Sequence, residues 1–512
     1  MPVLLSKTCA WLSSKATSLR GGGGSSVRSL ISNAMWTLAA KIVVQFTQVA
    51  TFVVAARTLA SAEFGLFSYV AALVALLLVL AEGGWREFVM KTNHEEGRLD
   101  QIATVAIISG ASAMMVGLSI ATFLGLYLKM PHEALLVTLF GLWLLPTPFS
   151  SVCEGIFIAD ARLRELSIIK VAAELCGTAL AILGLLHGWN IFALVAGRLV
   201  TQLLTVIAFI GILRWLPKLG IRSVFFWEIF EFSKHVVYNR MIVLMRSYSG
   251  TLVVGSVLGL AEAGYYRAAE RIVSAFTDLV CEPGRQIAWG VFRKVAASNG
   301  AGGEASPEIG AKATNYLVFL MVASAPVHIG LALMSGTLIH LVLGDDWAPA
   351  AILVSLLSVK QILLVPGCIT EPLLSLTGSI RKVPGAILIN SLVSVGLMLA
   401  LSPFGMVAAA SGQFIAAVFS FAVSAWLQSR YGAVNWLRVL RGCVHPVAAL
   451  IAMALTVIAL GNVATQSLAS GLTTNVLQIL AGSLVYAATL AVLHKIAGGL
   501  LPVTAANLEI KL

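Results

Sequence analysis

The sequence predicts an all-α polytopic membrane protein of about fourteen transmembrane helices, built as two pseudo-symmetric six-helix lobes plus two C-terminal helices. Three observations predict it: a composition too apolar for a water-soluble domain, recurring apolar runs of membrane-crossing length, and a first half that repeats itself in the second. Of the 512 residues, 59% are apolar and 11% charged, and mean hydropathy is +0.93. An average soluble domain carries roughly 25% charge.

A helix needs about 20 apolar residues to cross roughly 30 Å of hydrocarbon. Such runs centre in 32–57, 65–82, 102–127, 134–156, 167–187, 191–213, 236–259, 265–290, 313–343, 348–376, 384–402, 405–428, 445–464 and 475–494. They divide the chain into a flexible cytoplasmic tail (1–31), an N-lobe (32–216), an inter-lobe linker (217–235), a C-lobe (236–428), a cytoplasmic loop (429–444), a final helix pair (445–494) and a cytoplasmic tail (495–512). The N-terminal stretch has scattered Lys and Arg and no continuous apolar core, so it reads as a Gly/Ser-rich tail rather than a cleaved signal peptide.

Orientation follows from the loops. The tails and every second connection hold 23 of the 34 basic residues, whereas the opposite side holds only Arg57 and Lys129. Positive charge stays on the cytoplasmic side, so both termini are expected there and the helix count is even. Six cysteines (Cys9, Cys153, Cys176, Cys281, Cys368, Cys443) are dispersed without metal-ligand spacing and read as reduced packing residues. No metal site is expected among the equally dispersed histidines.

The repeat sets the architecture. "LASAEFGLFSY" at 59–69 aligns with "LGLAEAGYYRA" at 258–268, pairing Leu59 with Leu258, Glu63 with Glu262 and Gly65 with Gly264; the same register pairs Lys41 with Arg240. Further on, Glu82 matches Glu282 and Glu154 matches Glu371. Copies of six spans each share one orientation, related by an axis along the membrane normal.

The short "ARTLASAEFGLFSY" connection, "VVGSVLGLAEAGYYRAAERI" and "LIHLVLGDDWAPAA" together resemble the polysaccharide transporter branch of the multidrug/oligosaccharidyl-lipid/polysaccharide exporter superfamily, which includes Wzx-type flippases. The likeness covers roughly residues 32–428. It implies translocation of a lipid-pyrophosphate-linked oligosaccharide to the outer leaflet of a bacterial inner membrane by alternating access between two lobes. It also implies that the chain is not an enzyme, works in the bilayer without nucleic acid, acts as a monomer and meets a polysaccharide polymerase and chain-length proteins. One position departs from the branch: where an Asp often stands five residues before Gly255, this chain has Gly250. No cofactor is expected, and proton or sodium coupling is left open.

Charge within the spans marks the site. On a helix at 100° per residue with Arg267 at zero, Arg271 falls near 40°, Asp278 near 20°, Glu282 near 60° and Arg285 near 0°, with Glu270 at about 300°. Such a stripe cannot face lipid, because a charge at the bilayer centre costs at least about 2.5 to 3.5 kcal/mol. Two readings stand: a cationic path for a diphosphate, or an internal zipper of ion pairs. Substrate-facing candidates are Lys41, Arg198, Arg240, Arg246, Arg267, Arg271, Arg285 and Lys360. Glu82, Glu174, Asp278, Glu282 and Glu371 are candidates for ion coupling or charge pairing, with a capping or hinge role favoured for Glu82 and Glu282 beside their Gly-containing turns. Lys170, near a helix end, reads as a snorkelling anchor. Pro146, Pro148, Pro283, Pro366 and Pro372 are expected to interrupt helices.

Rival classes fit less well. A membrane glycosyltransferase or polymerase needs a sizeable outer loop to carry catalytic carboxylates, and the outer connections are short. A multidrug antiporter wants an acid-rich cavity, yet span one carries Lys41 and no carboxylate. A lipid II type flippase shares the need for intramembrane cations and is the nearer alternative. The loop bias makes a direct prediction. In a cysteine-free background, single cysteines placed within 58–63 or 465–474 react with an impermeant thiol reagent on intact cells, and those within 300–306 do not; the reverse pattern inverts the topology.

Overall fold

The structure, a computed structural model, describes residues 23–92, 97–127, 129–220, 223–298, 307–466 and 472–496. Most of the expected tails (1–22 and 497–512, with Lys7, Lys15, Arg20, Cys9 and Lys511), all of 300–306 and part of the 465–474 connection lie outside the described residues.

Among the described residues all regular structure is helical. The α-helices run α1 (Gly23–Thr58), α2 (Ser61–Glu82), α3 (Trp85–Lys91), α4 (Arg98–Leu126), α5 (Pro131–Leu144), α6 (Thr147–Ala159), α7 (Leu163–Leu186), α8 (Ile191–Leu213), α9 (Ser223–Val257) and α10 (Leu260–Ser298). They continue as α11 (Pro307–Leu333), α12 (Ser335–Val342), α13 (Ala350–Leu364), α14 (Thr370–Leu376), α15 (Val383–Leu401), α16 (Met406–Gly432), α17 (Trp436–Gly442), α18 (Val444–Gln466) and α19 (Leu472–Ile496). In hydrocarbon every backbone N–H and C=O must be satisfied within the segment, and the helix does that.

Twelve segments of the described residues are long and apolar enough to cross a membrane. The seventh and eighth spans read from the sequence fall on α9 and α10, of 35 and 39 residues. Charge rather than length separates these two from the twelve. Several of these spans are broken. Between α2 and α3, Gly83 and Gly84 take φ of 45° and 82°, a region open to glycine at little cost. Pro146 lies at the α5–α6 break, and Pro366 lies in the 3₁₀ turn Val365–Ile369 between α13 and α14. Pro283, expected to interrupt, is instead carried inside the continuous α10. Just past it the Gly284 carbonyl accepts the Tyr316 hydroxyl at 2.6 Å, which ties α10 to α11.

The chain divides into two compact units, Met1–Val54 with Leu77–Val236, and Ala55–Leu76 with Val237–Leu512. The first has an aromatic core in which Trp85 and Phe88 (α3), Phe149 and Phe157 (α6) and Phe209 (α8) are buried together. Phe88 meets Phe232 edge-on at 5.1 Å. Cys153 is buried in that cluster as a packing residue.

The second unit contains the start of α2 because of two glycines. A Cβ on Gly65 would stand 1.7 Å from the Leu260 carbonyl oxygen, and one on Gly264 would stand 2.1 Å from that of Ser61. Gly65 and Gly264 are repeat partners, as are Ser61 and Leu260, so the contact is reciprocal: each copy lays its glycine on the other's helix start. Small residues at such crossings let backbones approach, which is where van der Waals attraction between membrane helices is gained. Beside this crossing Trp347 is buried, donating its indole N–H to the Ala56 carbonyl at 2.6 Å, with Phe64 and Tyr265 set edge-on to its ring. Arg57 donates to the Leu341 and Val342 carbonyls at the end of α12, where helix carbonyls lack internal partners.

Gly65→Ala therefore lowers thermal stability in detergent by more than about 2 kcal/mol, since backbone oxygen has nowhere to move. Gly211→Ala, in open space on α8, changes it by less than about 0.5 kcal/mol. Equal melting of the two variants would refute the close crossing.

Candidate functional site

Span eight was the most charged segment in the sequence, and in the structure α10 forms one wall of a cavity of about 460 Å³ inside the second unit. The other walls are α9, α13, α15 and α16. The ionisable groups on it are Arg246 from α9, Arg267, Glu270 and Asp278 from α10, and Lys360 from α13.

The face α10 turns to the cavity carries Arg267, Glu270, Val273, Ser274, Thr277 and Asp278. At 100° per residue these span about 240° to 20°, so the cavity side is rotated from the predicted stripe. Glu270, set aside by the sequence angles, is on it. Arg271 and Glu282 lie beyond its edge, and Arg285, though in phase, lies further along the helix past Pro283.

Pairing separates the cations. Arg267 donates to Glu270 at 2.7 Å and to the Ser247 carbonyl at 3.3 Å, and its guanidinium lies 4.7 Å from the Tyr248 ring centroid. Both partners are mostly buried, with side chains 21% and 16% exposed. Lys360 donates to Gln413 Oε1 at 2.6 Å. An ammonium only donates, which fixes the Gln413 amide with its oxygen toward Lys360. Arg246 is exposed to the cavity and, among the described residues, has no carboxylate within ion-pair distance.

The remaining predicted residues sit elsewhere. Arg285 pairs with Glu282 at 2.8 Å and reaches Glu371 at 3.7 Å. In the first unit Arg86 pairs with Glu87 at 3.1 Å and reaches Glu154 at 3.6 Å. Glu154 and Glu371 are repeat partners, and each is reached by an arginine of its own unit, although Arg86 aligns with Gln286 rather than with Arg285. Glu154 also takes Lys170 at 2.7 Å, which makes Lys170 an ion-pair partner rather than a free snorkelling anchor. Arg198 lies over Trp143 at 5.9 Å. Lys41 is exposed on α1 and Glu174 half-buried on α7, both in the first unit. Arg240 and Arg271, in the second, are half-buried and do not line its cavity. Glu82 closes α2 just before the Gly83–Gly84 turn, whereas its repeat partner Glu282 sits within unbroken helix.

Gly250 has a steric reason. A Cβ there would meet the Tyr266 ring at 2.3 Å, and Tyr266 is fully buried. The phenol fills the space that an aspartate would need. Sequence reasoning missed Gln361, Asn390, Ser394, Gln413 and Ser420. The available signal was uncharged: Asn390 and Ser394, one turn apart, lie on one face of an otherwise apolar helix.

These features define a multi-pass helical membrane protein with a charged internal cavity, and solved structures share its fold. It is similar to a lipid II flippase, MurJ, in an inward closed conformation, at TM-score 0.66 and 12% identity, over 91% of this chain and 99% of that one. An inward-facing multidrug resistance MATE family transporter of the MOP superfamily aligns at TM-score 0.60 and 14% identity, over 78% of this chain and 98% of that one. By sequence, the family model described as "Polysaccharide biosynthesis protein" matches residues 54–352, and the chain belongs to that family. It is 22% identical over 343 residues to the succinoglycan biosynthesis transport protein ExoT of Rhizobium meliloti (strain 1021), covering 66% of this chain and 67% of that protein.

The pairing pattern separates scaffold from free charge. Arg267→Ala strands Glu270 and lowers stability in detergent by about 3 to 5 kcal/mol, as loss of one partner of a buried pair does. Adding Glu270→Gln restores most of it. Arg246→Ala melts like wild type, and a large loss there would show a structural partner instead.

Proposed function

We propose that this protein is a flippase that carries a polyprenyl-pyrophosphate-linked oligosaccharide from the cytoplasmic to the periplasmic leaflet of a bacterial inner membrane, by alternating access, for exopolysaccharide, capsule or O-antigen synthesis. Both termini are placed in the cytoplasm, and a polysaccharide polymerase with its chain-length proteins takes up the product. Family membership and the succinoglycan transport relative support the substrate class. One observation carries the mechanism: in a cavity where Arg267 is held by Glu270 and Lys360 by Gln413, Arg246 keeps its donors available.

A guanidinium presents a planar fork that binds phosphate oxygens in pairs. Inside a low-dielectric cavity that attraction exceeds its value in water. Lys360, already hydrogen-bonded, adds a second positive charge on a neighbouring helix. A diphosphate head group is thereby drawn out of water, while a cationic drug is repelled by the same two residues. The zipper reading of the stripe applies to Arg285, Glu282 and Glu371, which brace one another, and the cationic path narrows to Arg246 and Lys360, with Arg267 in the same lining but held by Glu270.

Deletion of the gene is expected to accumulate a lipid-linked repeat unit of a surface polysaccharide on the cytoplasmic face, with peptidoglycan precursors unchanged. Complementation with Arg246→Glu fails, and Arg246→Lys restores partial export because an ammonium still binds phosphate as a point charge. Accumulation of lipid II instead would move the substrate to the peptidoglycan precursor, and full export by Arg246→Glu would remove the cavity from the path.

A further inference from the structure

The cavity wall is chemically divided. Every ionisable lining group comes from α9, α10 or α13, and none comes from α15 or α16. Those two helices present Asn390, Ser391, Ser394, Gln413 and Ser420, with Ala416 and Ala417 between the last two. Two alanines in the middle of a wall leave room in front of the amides and hydroxyls.

One atom there lacks a partner. Asn390 Nδ2 donates to Ser420 Oγ at 3.0 Å, while Asn390 Oδ1 is buried and, among the described residues, accepts nothing. A carbonyl oxygen only accepts hydrogen bonds. An ionised diphosphate also only accepts, so the anion that suits Arg246 cannot satisfy Asn390. The group that can do so carries an O–H or N–H. A ligand that fits both walls therefore bears an anion and, a few ångströms away, hydroxyl donors.

We infer that Asn390, Ser394 and Ser420 form a carbohydrate subsite that takes the sugar attached directly to the diphosphate. This rests on the transport reading above and adds to it: the second unit selects by sugar as well as by charge. Sugar hydroxyls donate to Asn390 Oδ1 and exchange hydrogen bonds with the serines, while Arg246 and Lys360 hold the phosphate oxygens. A buried group built to meet a hydroxyl discriminates strongly against a ligand lacking it, because the unmet acceptor stays desolvated.

The test uses the full-length protein in lipid nanodiscs with three soluble probes: UDP-glucose, UDP and inorganic pyrophosphate. UDP-glucose carries a sugar on a diphosphate, and UDP differs from it by that sugar. Wild type is expected to bind UDP-glucose about tenfold more tightly than UDP, the scale of one or two net hydrogen bonds. Asn390→Ala brings that ratio toward one and leaves pyrophosphate affinity unchanged, whereas Arg246→Ala weakens all three probes together. Ser394→Ala removes a cavity hydroxyl without touching the Asn390 to Ser420 contact, and gives the same comparison should Asn390→Ala melt early. A wild-type ratio of one, or an unchanged ratio in both Asn390→Ala and Ser394→Ala, with pyrophosphate still bound, overturns the sugar subsite and leaves the anion site standing. Failure of wild type to bind pyrophosphate overturns the anion site itself, and the subsite with it.

Discussion

A charge inside a bilayer must be partnered or must face water, and this constraint orders the second unit of the protein. Along α10, Arg267 answers Glu270 and Arg285 answers Glu282 and Glu371. On α13, Lys360 is held by an amide rather than by an acid, so its charge is oriented without being cancelled. Arg246, Arg267 and Lys360 come together at one cavity. The lining holds these three cations against two acids, Glu270 and Asp278, so its formal charge is positive.

The second organising element is the repeat, which survives in contacts as well as in letters. The repeat-related acids Glu154 and Glu371 are each reached by an arginine of their own unit, Arg86 and Arg285, which stand one position apart in the repeat register. Gly65 and Gly264 close on each other's helix starts, and no side chain larger than hydrogen fits. Departures from the repeat are equally informative. Gly83 and Gly84 break the first copy, but Pro283 and Gly284 are absorbed within α10, so the same region is a turn in one copy and unbroken helix in the other. The contacts of Trp347 and Arg57 have no counterpart in the sequence argument; each satisfies a polar group while locking the connection after α1 into the second unit.

The cavity explains why the segment richest in charge is also tolerated in a membrane. All the ionisable lining groups stand on α9, α10 and α13, whereas α15 and α16 contribute only uncharged ones. Transport of a lipid-linked sugar diphosphate asks for binding strong enough to draw the head group from water and weak enough to release it. A single available arginine beside a pre-oriented lysine meets that demand better than a cluster of unpaired arginines, whose mutual repulsion in a low dielectric would be large.

How much of this was legible in the sequence follows from the kind of signal each feature leaves. Hydropathy determined the helices, because twenty apolar residues have one stable conformation in hydrocarbon. The repeat and the three short motifs determined the family, and the charge rarity of the chain determined that α10 was special. Helical phase alone could not say which side of α10 faces a cavity: a rotation of about one residue position exchanges Glu270 for Arg271, and only packing against α9 and α13 selects between them. Nor could a linear reading tell a free arginine from a braced one, since Arg246 and Arg285 look alike as letters and differ only in whether a carboxylate from another helix reaches them. The uncharged wall was the least visible part. Serine, asparagine and glutamine are common enough in membrane helices to carry no signal singly, and they become a surface only when the tertiary structure brings α15 and α16 side by side.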